Sequence, residues 1–506
     1  MSGETVPGLR REAVGLREVL FQSITAMAPA AAVAASIPSG AAFAGGSLPL
    51  SVLIALVACL FTASCVAELA RQLPTAGSVA TYAAQGLHPA VGFLVGWGYV
   101  FVEALVPPLL LLQLGFTTAG TLHQEWSSYP DDLWWPWSLA GAAIIAVAGY
   151  FGVRASARFG TVLGVFEVLV FLVFAIWLIV KAGGDNTLSV FGTSHTAEGY
   201  EGVSGVFAGS VYTVLAFAGF EAAAPLAEET KDPRRTMHRA VLGAALGIGL
   251  FYVLTTYAIS VYSGPERFGD FGASGAASWE GVARASFGLF WVLVFLAVVN
   301  STIANANACA TVSTRTAFAL ARIKVFPRLF AHVHPRHRSP VAGVAAQCGV
   351  AVAAVLGLGL YYDPVTAFLL LATVIVTVVI GVYIVVNLAC AGYFLRRRRE
   401  LLKPVRHLLF PLLGIVAFVP ALLTAAGLPV FDFVSELTAP VSYAGPVVGV
   451  WMAAGVVVLI VLSRRHPGRI AETARVHLDE TSPPESPESP ESPESPDLRQ
   501  NGAVQP

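Results

Sequence analysis

Charge is scarce in this sequence. Only 12% of its 506 residues are Asp, Glu, Lys or Arg, while 56% are hydrophobic and the mean hydropathy is +0.71. A globular core cannot hide that much apolar side chain, which excludes a soluble multidomain protein. Cysteine is sparse too: Cys59, Cys65, Cys309, Cys348 and Cys390 all fall in apolar segments, so no disulfide framework is implied. The ten histidines are all read as loop or tail residues, which argues against a His relay or a His-ligated metal at membrane depth. No metal, resident cofactor or nucleic-acid partner is therefore expected. No cleavable leader is expected, and residues 1–19 are read as a cytoplasmic lead-in: they are polar, with Arg10, Arg11 and Arg17, and the first apolar segment is full length.

What is present is a succession of apolar segments, each near the roughly 20 residues that cross a bilayer. Twelve are read, at 20–43, 48–69, 90–119, 133–150, 159–180, 203–226, 240–262, 286–319, 341–360, 365–395, 408–428 and 441–462. Lys and Arg accumulate in cytoplasmic loops. With the N-terminus inside, only Lys181, Arg267 and Arg284 of the 30 basic residues face outward, whereas Arg154/Arg158, Lys231/Arg234/Arg235/Arg239 and Arg396 to Arg399 face inward. Twelve spans with both termini cytoplasmic follow. The excess of Arg over Lys, with abundant Ala, Val and Gly, points to a bacterial plasma membrane. Segment 464–506, with its recurring Glu-Ser-Pro, has almost nothing apolar to bury and is read as a disordered cytoplasmic tail.

Two spans carry an interruption that a plain membrane helix has no use for. In "SITAMAPAAAVAASIPSGAAFAGGSLPL" (23–50), Pro29 and Pro38 break the first span, and the sixth is broken at Ala218-Gly219-Phe220-Glu221 with Pro225 soon after. Both open a group of five spans, and the third span of each group is over-long. Spans one to five (20–182) therefore map onto six to ten (203–395), and because five is odd the copies run in opposite directions. Spans eleven and twelve (407–463) follow as additions. Paired discontinuous helices in an inverted repeat place a substrate between the breaks. A broken helix frees N–H and C=O groups, which membrane depth tolerates only where they line a cavity or find protein partners. Its N-terminal end suits a carboxylate and its C-terminal carbonyls suit an ammonium group.

The stretches "ELARQLPTAGSVATYAAQGLHPAVGFLVGWGYV" (68–100), "LAFAGFEAAAPLAEETKDPRRTMHRAV" (215–241), "ALARIKVFPRLFAHVHPRHRSPV" (319–341) and "GVYIVVNLACAGYFLRRRR" (381–399) resemble the amino acid-polyamine-organocation permease family. The likeness runs over about 20–462. It implies an all-α polytopic membrane protein of leucine-transporter-like fold, and secondary transport of amino acids or amines coupled to protons or to counter-exchange. Carried over by position, the first break lies near Ala26 to Ala32 and the second at Phe217 to Glu221. Substrate contacts are thereby expected from Thr25, Met27, Ala28, Ala30, Ala31, Phe217, Ala218, Gly219, Phe220 and Glu221. The chain departs from the family at "TAMAPAAA", where many members carry glycines and Pro29 here lacks an N–H.

An ionised side chain at a helix centre costs about 2.5–3.5 kcal/mol on insertion scales, so the carboxylates Glu68, Glu103, Glu167 and Glu221 each need a reason. Glu68, a turn from Arg71, reads as an interfacial or structural pair. Glu103 reads either as a contact for a substrate amine or as a hydrogen-bonded structural group. Glu221 follows the second break and reads as gating or substrate-adjacent in preference to packing. Glu167 stands where many relatives have a lysine; it reads as a proton-coupling residue or as a neutral, hydrogen-bonded Glu. Asn300, Asn307, Thr311 and Thr314 form one stripe of span eight, read as path-lining. Trp126, Trp134, Trp135 and Trp137 read as an interfacial belt.

The resulting expectation is a permease for amino acids or small amines, importing with protons, with sodium open as the coupling ion. A polyamine exporter or exchanger is the alternative. An intramembrane enzyme is disfavoured, because no nucleophile-base pair or metal motif lies at depth.

Overall fold

The computed structural model describes residues 15–465, apart from 76, 131, 152–156, 231, 269–270, 272–277, 323–326, 335–336 and 338. Of 157–160, 225–229, 233–234, 278, 319–320, 322 and 328 only the backbone is described. The expected tail beyond Arg465, most of the N-terminal lead-in, Arg154 and Lys231 lie outside the described residues, as do the side chains of Arg158 and Arg234.

The described residues form helices and connecting turns. Among the described residues, ten stretches are long and apolar enough to span a membrane. The first, Leu16–Gln72, is 57 residues long and contains the first two expected spans, and the fourth is the shorter apolar helix Trp135–Phe151. All twelve expected spans therefore have a helical counterpart. Span two is Leu48–Gln72, span three Pro89–Glu125, span five Ala157–Ala182, span seven Pro233–Ser263 and span eight Trp291–Arg322. Spans nine and ten are Val341–Tyr362 and Pro364–Arg396, span eleven is Phe410–Ala425 after a π-helical turn Val405–Leu409, and span twelve is Ala444–Arg465.

The first span is broken as its prolines require. Helix Leu16–Met27 stops at Ala28, which has a left-handed backbone at φ 46°, and a new helical turn, Pro29–Ala31, starts with proline at its first position. Proline fits there because the first N–H of a helix has no intrahelical acceptor, and it pushes the preceding residue out of the α region. Pro38 is accommodated differently. The chain ahead of it widens to a π-helix, Ala32–Ser36, so the bond from Ile37 N–H reaches back to Ala32 O and the missing proline N–H falls in a loosened stretch.

The sixth span is broken by glycine. Helix Val203–Phe217 ends at Ala218, extended at ψ 129°, and Gly219 takes φ 112° before a 3-10 helix, Phe220–Glu229.

Packing follows the pseudo-two-fold. Span one packs on seven and six on two, spans two and seven cross each other, and three crosses eight. Each half also inserts a short helix between its second and third spans, Ser78–Gly86 in one and Ser278–Phe287 in the other. Excess length is less selective than the sequence suggests: spans three and eight have 37 and 32 residues, but seven and ten have 31 and 33.

Three local expectations are corrected. Trp126, Trp135 and Trp137 are exposed, but Trp134 is buried and its ring closes on Gly359, so it belongs to the core and not to the belt. Three histidines are not loop residues: His123 and His238 lie on the helices Pro89–Glu125 and Pro233–Ser263, and His407 lies buried in the turn Val405–Leu409 with its ring stacked 3.6 Å from that of Phe394. Glu68 pairs with Arg406 at 3.3 Å across to span eleven, rather than with Arg71 on its own helix.

Candidate functional site

The two breaks abut. A Cβ added to Gly219 would lie 2.7 Å from the carbonyl carbon of Ala26 and 2.8 Å from its oxygen, so only a residue without a side chain lets the backbones meet this closely. Ser23, one turn before the first break, clasps the second: its hydroxyl donates to Phe220 O at 2.8 Å and accepts from Ala223 N–H at 3.2 Å.

Several groups freed by the break find side-chain partners from other spans, as burial in an apolar bundle demands. Asn305 of span eight donates to Ala26 O at 3.2 Å, and the Tyr252 hydroxyl of span seven donates to Met27 O at 2.9 Å. Gln113 of span three donates to Ala31 O at 2.8 Å, and the Trp279 indole N–H donates to Val33 O at 2.8 Å. At the start of Pro29–Ala31 no side chain caps the helix, and Ala30 and Ala31 are buried.

Glu221 stands behind the second break. Its carboxylate accepts from the Tyr99 hydroxyl, from the Tyr383 hydroxyl at 2.9 Å and from Gly219 N–H at 3.2 Å, joining spans three, six and ten. Phe217 and Phe220 flank the break, Phe217 edge-on to Tyr252 and Phe220 tilted over Tyr383, with ring centres 5.4 and 5.1 Å apart.

Glu103 lies one helical turn after Tyr99. It faces the Cys309 thiol and is within electrostatic reach of Glu221. Its Oε2 is buried without a hydrogen-bond partner. Thr25, Ala26, Ala218, Gly219, Tyr99, Glu103 and Cys309 are all half-buried, beside the buried Met27, Phe217 and Phe220.

Glu167 is buried on span five. Asn300 Nδ2 lies 3.5 Å from its Oε2, and the carboxylate is within electrostatic reach of Tyr252, the residue that holds Met27 O. The expected coupling residue thus sits one side chain away from the first break. No ion pair joins Glu103, Glu167 or Glu221 to a basic side chain among the described residues.

The stripe on span eight divides. Asn300 meets Glu167, whereas Asn307 and Thr311 face a cavity beside spans four and nine. The contact with the break is made by Asn305, on another face of the same helix.

Sequence reasoning therefore found the breaks and three of their carboxylates, and missed Tyr99, Gln113, Tyr252, Asn305, Cys309 and Tyr383. The four-residue spacing of Tyr99 and Glu103 was a usable signal. Single aromatic residues in apolar spans, such as Tyr252 and Tyr383, carry none. A fifth embedded carboxylate was also missed: Glu280, on the short helix Ser278–Phe287, is completely buried and both its oxygens are unpartnered.

Comparison with known proteins agrees with this architecture. The family profile described as amino acid permease matches residues 18–464. The low-affinity putrescine importer PlaP of Escherichia coli K12 is 28% identical over 379 residues, covering 73% of this chain and 79% of that protein. The branched-chain amino acid permease BcaP of Bacillus subtilis is 25% identical over 365 residues, covering 69% and 75%. Among solved structures, a manganese transporter of Eremococcus coleocola, crystallised with an aromatic bis-isothiourea compound, superposes with a TM-score of 0.50 at 12% identity, over 90% of this chain and 95% of that one. That likeness concerns the fold alone.

Proposed function

The chain belongs to the amino acid permease family, transporters of amino acids or amines, and on that premise we propose that it imports small cationic amines together with protons, with Glu103 receiving the ammonium group and Glu167 the coupling proton. One observation carries the reading. Two carboxylates near the breaks, Glu103 and Glu167, have no basic partner among the described residues and lack the set of hydroxyl and backbone donors that holds Glu221. Buried carboxylates of that kind are stable only when protonated or when a cation joins them. A cationic cargo and a proton are the two species that satisfy this requirement in turn.

The nature of the first break supports an amine over an α-carboxylate as the main recognition element. Pro29 removes one of the N–H groups that would greet a carboxylate, while Glu103 Oε2 is unpartnered. The relative PlaP is a putrescine importer. The placement of Lys and Arg supports a plasma-membrane orientation with both termini inside.

A second reading is transport of a zwitterionic amino acid, favoured by the mixture of freed N–H and C=O groups and by the relative BcaP. Uptake of labelled diamines, monoamines and neutral amino acids into proteoliposomes, with and without an acid-outside gradient, separates the two. Amine uptake that exceeds amino acid uptake and rises with the gradient supports import with protons, and a requirement for sodium overturns that choice of ion. Amine uptake that is driven only outward supports the exporter.

Two variants assign the roles. Glu103→Gln is expected to raise KM for an amine about tenfold or more, the scale of one lost charge-assisted hydrogen bond, with little change for a neutral amino acid. Glu167→Gln is expected to remove the response of uptake to the proton gradient while exchange of substrate for substrate persists. Retained gradient dependence in that variant ends the assignment of Glu167.

A further inference from the structure

A cavity of about 190 Å³ opens between spans four, eight and nine, away from the breaks. Its position is set by close contacts: the end of span four approaches the start of span nine at Gly149, where an added Cβ would lie 3.2 Å from Val344 Cγ1. The outward faces of these helices are apolar and exposed at Ile144, Val147 and Val350, so the cavity lies within the lipid-facing wall of the bundle.

Most polar groups that line it are already engaged. Thr311 and Thr314 donate to carbonyls of their own helix at 2.8 and 3.0 Å. Ser339 donates to Tyr150 O at 2.7 Å, and Gln347 bridges Ser313 and Ala104 O. Asn307 is different. Its side-chain amide lines the cavity and makes no hydrogen bond to a described residue, an arrangement an apolar filling would penalise.

At the end of the cavity stand Arg315 of span eight and His337 of the loop before span nine. In sequence, His337 is flanked by Arg336 and Arg338. A polar amide at depth, the Arg315 guanidinium and the His337 imidazole at the end, and apolar helices on the membrane side form an amphipathic container. Basic pockets of this kind between membrane helices suit anionic headgroups.

We propose that this cavity is a binding site for a phosphate-bearing anion, held at Arg315 and His337 with the Asn307 amide donating deeper in. The same chemistry is offered by the headgroup of an anionic phospholipid and by free phosphate. Occupancy bears on transport through span eight: Asn307 touches the cavity, and Asn305, on another face of the helix, holds the carbonyl of Ala26 at the first break. A ligand seated here stiffens the helix that fixes the break.

The test uses the purified full chain and two variants. Arg315→Gln removes the charge, and Ala148→Leu fills the cavity from span four without touching charge. Native mass spectrometry with phosphatidylglycerol, phosphatidylcholine or inorganic phosphate reads binding directly. Phosphatidylglycerol or phosphate is expected to bind in preference to phosphatidylcholine, with Arg315→Gln about tenfold weaker, as for one charge-assisted hydrogen bond, and Ala148→Leu showing no binding. Binding of the phospholipid alone assigns the membrane as the source, and binding of phosphate alone assigns the aqueous phase; either supports the site. In phosphatidylcholine vesicles, addition of the bound species is expected to change the uptake rate of the parent chain and not that of Ala148→Leu. The proposal is overturned if neither anion binds above phosphatidylcholine, or if both variants bind as the parent does.

Discussion

Gly219→Ala is expected to suppress transport by at least about tenfold while the helical bundle stays folded. Two independent demands meet at this residue. Its φ of 112° lies where side chains are strained, which by itself costs roughly 1–3 kcal/mol. The added methyl would also sit 2.7–2.8 Å from the carbonyl of Ala26, a backbone group that cannot swing aside. The contact can be relieved only by separating the breaks, which disturbs the clasp of Ser23 on Phe220 O and Ala223 N–H. Uptake in proteoliposomes, with circular dichroism and gel-filtration profiles alongside, gives the answer. Normal uptake by the alanine variant would show that the breaks need not touch.

The second large effect is expected at Glu221, and here stability and transport fall together. Glu221→Ala leaves Gly219 N–H and the hydroxyls of Tyr99 and Tyr383 without their acceptor in a buried setting. Each orphaned group costs about 1–3 kcal/mol, so the total reaches several kcal/mol. Glu221→Gln keeps a carbonyl oxygen for one or two of these donors and should recover much of the loss. The thermal midpoint in detergent, followed by size-exclusion fluorescence, is expected to rank parent, Gln and Ala in descending order. Equal midpoints for parent and Ala would mean that Glu221 serves only the passing substrate and does not join spans three, six and ten.

The fold was legible to an unusual depth because hydrocarbon imposes one rule on every span. A segment must be apolar and must satisfy its own backbone, so length and hydropathy alone locate it. The breaks were legible for the converse reason. Pro29 forces Ala28 out of the helix, and the Ala218-Gly219 pair permits a turn that few other sequences allow. Both are local effects of covalent geometry, visible without any partner.

Contacts between distant segments were not legible. Tyr252 meets Met27 O from 225 residues away, and Tyr383 meets Glu221 from 162. In an apolar span, tyrosine is as compatible with lipid as with a hydrogen bond, so its role appears only when a partner is opposite. Asn305 makes the same point. It shares its helix with the predicted stripe of Asn300, Asn307 and Thr311, yet it is Asn305 that touches the break, because the crossing of span eight selects the face. Glu280 was passed over for a related reason: its short helix looks like a polar loop in sequence, and its burial appears only once that helix is packed, with the neighbouring Trp279 set against Phe171 and Phe174.

What the sequence alone determined is a chain of membrane helices arranged as two matching groups of five, each opened by a helix that covalent geometry interrupts. Hydropathy and the dihedral limits of proline and glycine act on neighbouring residues, and the order of residues records them. Which faces meet, which carbonyls are taken by side chains and which carboxylates are left without a cation was decided only by tertiary structure. Those outcomes depend on how helices cross, and the crossing is a property of all the spans packed together.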